Sequence, residues 1–176
     1  MDRDPRTISQ SQEDRRAIGL WAADCAERVL PLFEAKAPSD ARARAAIEGI
    51  RAFARGDNRS GQLRSLFSAA YAAAREVGDP AAAAAARAAG LAAATPFMHA
   101  QLSLNQTKHA LGPAMYAARA RERAAHDPGA GDQELRWAIR HASPAVREVV
   151  RRMPARTAGR TRLDALLYQL DEGLRR

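Results

Sequence analysis

Asp79-Pro-Ala-Ala-Ala-Ala-Ala-Ala-Arg-Ala-Ala-Gly-Leu-Ala-Ala-Ala-Thr95 is a helix with almost no side-chain bulk on its circumference. Asp79 can accept hydrogen bonds from first-turn amides, and Pro80 suits the first helical position, so the start is well marked. Alanine is the best helix former, yet burying its single methyl yields little transfer energy. Such a helix helps a fold by letting neighbouring backbones come close, and it reads as a central strut. Aromatic residues make up only 5% of the chain and β-branched residues are scarce, which argues against a sheet. The expectation is an all-α fold: an antiparallel helical bundle or short stack of helical hairpins around close-packed, alanine-rich helices.

Upstream of this strut, Ile18, Ala22, Cys25, Val29 and Leu32 recur at helical spacing, with Pro31 predicting a kink or a break followed by a short turn. Ser39 or Asp40 is expected to cap a second helix lined by Ala43, Ala46, Ile47, Ile50, Phe53 and Ala54, closed by Gly56. Asn58 or Ser60 opens a third, with Leu63, Leu66, Phe67, Ala70, Tyr71, Ala74 and Val77 inward and Gly78 at its end. Short connectors make sequential helices antiparallel neighbours. Downstream, Thr95-Pro96 disfavours unbroken helix. A further helix is predicted over about 105–126, with a kink at Gly112-Pro113. The stretch His126-Asp-Pro-Gly-Ala-Gly-Asp132 reads as a linker. Three short helices follow over 133–142, 144–152 and from Thr161, where Thr161 and Asp164 have capping-box spacing. The organisation expected is a main helical domain over 1–126, with 1–10 a loose polar lead, a linker over 127–132 and a C-terminal helical lobe over 133–176.

With 176 residues the chain suits one domain with a continuous core. No apolar run approaches the roughly 20 residues that span a bilayer, and the first twenty residues do not resemble a secretory signal. The lone Cys25 fits a reducing compartment, so the cytoplasm is expected. Net charge is +8 and unevenly placed: residues 1–80 carry 13 basic and 12 acidic side chains, 81–176 carry 15 and 8. Only Lys36 and Lys108 among the basic residues are lysines.

Chemistry-bearing residues are sparse. Trp21, Asp24, Cys25 and Arg28 lie within two turns, and Asp24 and Arg28 have the spacing of an ion pair. A buried lone cysteine is ordinarily a small hydrophobe. The histidines 99, 109, 126 and 141 lack helix-borne metal-ligand spacing, so neither a metal nor a cofactor is expected. Trp21, Asp24, Thr95, His99, His109 and Tyr116 are the candidates for a small polar pocket. Arg147, Arg151 and Arg152 are candidates for contact with an acidic partner, with Arg136, Arg140, Arg156, Arg160 and Arg162 extending the basic region. Phosphate loops, nucleophile elbows and groove-reading motifs are missing, which ranks an enzyme or a nucleic-acid binder low.

Trp21-Ala-Ala-Asp-Cys-Ala-Glu-Arg-Val-Leu-Pro-Leu-Phe-Glu34, Arg87-Ala-Ala-Gly-Leu-Ala-Ala-Ala-Thr95, Lys108-His-Ala-Leu-Gly112 and Tyr116-Ala-Ala-Arg119 together resemble the bacterial immunity proteins of the immunity-five-like (Imm-5-like) family. The similarity runs from about Ile18 to Ala125, and Glu134-Leu-Arg-Trp137 with Pro144-Ala-Val-Arg147 looks like the family's C-terminal continuation. The resemblance implies a small cytoplasmic helical protein that neutralises a toxin. The function expected is therefore non-enzymatic binding of a protein partner, with a small-molecule-sequestering protein as the alternative. A basic second half would speed encounter with an acidic surface.

Overall fold

The computed structural model describes residues 10–57, 60–97 and 104–176. Its helices are α1 (Gln12–Glu27), α2 (Leu30–Glu34), α3 (Arg42–Ala54), α4 (Ser60–Glu76), α5 (Pro80–Ala94), α6 (Leu104–Ala125), α7 (Pro128–His141), α8 (Pro144–Arg152) and α9 (Arg162–Arg175), with a 3-10 turn at Thr95–Phe97. There is no strand among the described residues. Among the described residues, no helix is long and apolar enough to cross a membrane.

Helix α5 occupies the centre. Asp79 accepts from the Ala82 amide at 2.9 Å, Pro80 opens the helix, and 12 of its 15 residues are buried. It packs against α1, α2, α3, α4 and α6, and glycines let some of these seams close tightly. A Cβ on Gly90 would lie 2.8 Å from the Tyr71 ring on α4, and one on Gly112 of α6 would lie 2.6 Å from Leu91. On the α1–α3 seam, Gly19 sits as tightly against Ile50. A glycine on one helix thus receives a large side chain of its neighbour, and Phe33, Leu111 and Met115 are among the largest side chains fully buried in the core. Ala89→Leu, at a fully buried position, is expected to cost about 1 to 3 kcal/mol or more through overpacking, read as a lower urea midpoint with an unchanged slope.

Local signals act as expected at most helix ends. Ser11 and Thr161 form reciprocal capping boxes with Asp14 and Asp164. Gly56 and Gly78 adopt positive φ of 104° and 72° after α3 and α4. The chain breaks after α1 and restarts at Leu30 as the short α2, with Pro31 in its first turn. Two ends differ. Ala41 stands at the N-cap of α3, and Asp40 serves that turn from one residue earlier, accepting from the Arg42 amide at 3.0 Å while gripping its guanidinium. The expected linker over 127–132 is mostly helix: Asp127 caps α7 and Pro128 takes its first turn. Gly131 lies there against Glu122 of α6, so its lack of a side chain seats α7 on α6 instead of ending a helix. Helix α6 runs on through Pro113.

The C-terminal helices are fastened by buried carboxylates. Glu122, Glu134 and Asp171 are each under a tenth exposed and each is met by arginine. Arg162 reaches Glu122 and Asp132, both at 2.9 Å, tying α9 to α6 and α7. Arg175 binds Asp171 through two nitrogens at 2.8 and 2.9 Å. The pairs satisfy groups that would be costly to bury alone.

Candidate functional site

The sequence candidates for a polar pocket face different neighbours. Trp21 is 3% exposed and its indole donates to the Ala138 carbonyl at 2.9 Å. Asp24 turns the other way, to Arg51 of α3 at 2.9 Å, while Arg28 leaves it for Glu134, so the expected Asp24–Arg28 pair is replaced by tertiary partners. Thr95 is fully buried and its hydroxyl donates to the Ala92 carbonyl. Tyr116 is half-buried with the Arg87 guanidinium 6.0 Å from its ring. His109 is exposed on α6, and His99 lies outside the described residues. Cys25 is buried at 1% exposure, and burial, followed by the charges of Glu134 and Asp24, pushes its thiol pKa well up. A thiolate is the reactive form. Native protein at pH 8 is therefore expected to resist a thiol reagent that labels the urea-unfolded chain within minutes; fast native labelling would contradict the burial.

Much of the basic second half points inward at helix ends, whose last carbonyls lack intrahelical partners and carry the negative pole of the helix dipole. Arg147 donates to the Ile139 carbonyl at 2.6 Å, at the end of α7, and to Gly173 at 3.2 Å, near the end of α9. Arg175 donates to the Arg151 and Met153 carbonyls at the C-terminal end of α8, and Arg151 returns a bond to the Arg175 carbonyl. Arg121 donates to the Arg28 carbonyl at 2.8 Å, beyond α1. Arg152 pairs with Asp14 in the capping box of α1 at 2.8 Å. Among the three proposed partner-binding arginines, Arg147 and Arg152 are thus half-buried and engaged within the fold, and Arg151 is exposed.

A different group of arginines converges on a cleft. Arg28, Arg121, Arg136 and Arg140, with Gln133, Glu134 and Trp137, line an opening of about 420 Å³ between the end of α1, α6 and α7. Glu134, 4% exposed, is the carboxylate on its floor. Arg28 grips it with Nε and Nη2 at 2.5 and 3.1 Å, and Arg121 adds a third contact at 3.4 Å. Hydrogen bonding to Glu134 raises the Arg28 pKa, against the opposing effect of burial. The Arg28 guanidinium also lies 4.1 Å from the centre of the Trp137 ring, a cation–π contact. His141 stacks on the same ring at 3.9 Å, with its Nδ1 2.9 Å from the Trp137 carbonyl oxygen. Arg136 and Arg140 are exposed at four-residue spacing, on the same side of α7 as Gln133 and Trp137. The cleft has four positive charges and one negative charge among its lining residues, on an ordered, cross-braced floor. Such a surface suits an anion.

Sequence spacing could find half of this. Gln133, Arg136, Trp137 and Arg140 recur on one helical stripe, but nothing local shows Arg28 and Arg121 arriving from two other helices. Among the described residues, no three histidine, cysteine, aspartate or glutamate side chains are grouped to hold a metal.

Comparison with known proteins adds the family. The model of the Imm-5 like putative immunity protein family matches residues 9–145, a span reaching from the start of α1 into α8 and containing the whole cleft. No curated protein and no solved structure matches the chain. With most of its length covered, the chain belongs to the Imm-5 like putative immunity protein family.

Proposed function

We propose that this chain neutralises a bacterial toxin by binding it directly, without catalysis. The observation that carries this reading is the division of its polar groups. Of the side chains apt for chemistry, Cys25, Asp24 and Thr95 are buried or already paired, whereas Arg136 and Arg140 meet solvent beside an aromatic ring. A side chain locked in packing contributes nothing to acid–base or nucleophilic work, and a stable charged face contributes to recognition. Family membership supports the same direction.

The test is growth protection. A toxin captured from the native cytoplasm on the immobilised chain is co-expressed with wild type, Asp24→Asn or Cys25→Ser. Protection equal to wild type is expected from both variants. Loss of protection in either, with the variant folded and at normal abundance, would turn the reading toward chemistry.

A further inference from the structure

We infer that the cleft between α1, α6 and α7 is the docking site for an acidic segment of the protein partner, with Arg136 and Arg140 taking its carboxylates. This rests on the proposed binding function and names the surface. Arg28 and Arg121 are already committed to Glu134, which leaves the two α7 arginines as the cleft's outward charges. Among the described residues neither has a hydrogen-bond or ion-pair partner, unlike Arg147, Arg152, Arg162 and Arg175. Guanidinium groups take carboxylates through two parallel N–H bonds, and a helical pair four residues apart can hold two of them.

The surroundings favour a protein over a polyanion. Arg136 also borders a second groove, of about 280 Å³, lined by Asp132, Gln169, Glu172, Gly173 and Arg176. That groove mixes acidic and basic side chains, with Asp132 paired to Arg162 and Glu172 to Arg176, so it offers a nucleic-acid backbone leaving the cleft no continuous positive track. A protein segment carries carboxylates locally and can set basic or neutral residues against that groove. Trp137 is also a poor platform for a base, because Arg28 and His141 already lie about 4 Å from its ring.

The experiment uses the full chain and a short peptide rich in aspartate and glutamate, with inorganic phosphate and a duplex DNA fragment as separate arms. Binding is read from Trp137 emission, and Trp137→Phe identifies the signal against buried Trp21. The peptide is expected to bind in low salt, to weaken as salt rises, and to lose at least tenfold in affinity in Arg136→Glu/Arg140→Glu. Arg55→Glu/Arg75→Glu carries the same charge change just after α3 and on α4 and is expected to lose less than twofold. Equal loss in both variants, no loss in the cleft variant, or tighter binding of DNA or phosphate than of peptide would overturn the inference. Circular dichroism and melting of both variants should stay close to wild type, since Arg136, Arg140 and Arg55 are exposed with no side-chain partner among the described residues and Arg75 faces only the charge of exposed Glu76. The two readings separate in the growth assay: protection that survives Arg136→Glu/Arg140→Glu removes the cleft and leaves neutralisation standing. Peptide binding without protection removes neutralisation and leaves the cleft.

Discussion

Trp21→Ala is expected to lower stability by about 3 to 5 kcal/mol, the largest single loss in the molecule, measured by urea unfolding. Its indole is buried at the junction of α1 and α7, and truncation leaves a cavity that small neighbours such as Ala22, Ala26 and Ala138 are too short to fill. The N–H adds a second effect. Ala138 lies in the last turn of α7, where the Ala142 amide goes to Ile139 instead, so its carbonyl depends on Trp21. Trp21→Phe keeps most of the volume and removes the donor, and should cost a smaller amount, about 1 to 3 kcal/mol. A loss under 1 kcal/mol for Trp21→Ala would mean that the two helices do not depend on this side chain.

Asp171→Ala is the second large effect, expected at about 3 kcal/mol. Its carboxylate accepts two bonds from Arg175 and one from the Arg156 amide at 3.1 Å, so it pins the irregular strap after α8 to α9. Removal leaves Arg175 without its counter-charge and the Arg156 amide without an acceptor. Arg175 keeps its carbonyl bonds and some solvent, which holds the figure near the lower end of what a broken buried pair costs. Asp171→Asn keeps an acceptor and loses the charge, and should fall between wild type and alanine. Proteolysis is the second readout: cleavage between 153 and 161 should speed up in Asp171→Ala, and an unchanged rate would separate the strap from this carboxylate.

Local chemistry was the readable layer. Asp79-Pro80, Thr161 with Asp164, and the glycines 56 and 78 each act within a few residues, so their signals survive in one dimension. The Asp127–Asp132 stretch misleads for the opposite reason. Its proline and glycines have turn chemistry, yet Pro128 is tolerated in a first turn and Gly131 is needed where α7 meets Glu122. Arginines are the other case. Counting them gives the charge of the second half but not its direction. Arg147, Arg162 and Arg175 turn to helix ends and buried carboxylates, whereas Arg136 and Arg140 turn out. The pocket expected around Trp21, Asp24 and Tyr116 required side chains on different faces to converge, and helical spacing alone does not decide which neighbour each face meets.

Stoichiometric binding and catalytic inactivation of a toxin separate in a titration. Purified chain is added in steps to a fixed amount of the captured toxin, and residual toxin activity is followed after equilibration and again hours later. If neutralisation is binding, activity falls linearly to zero at equal molar amounts, with no drift over time, in wild type and in Cys25→Ser alike. Progressive loss of all activity with chain far below equimolar would mean turnover, and would contradict binding.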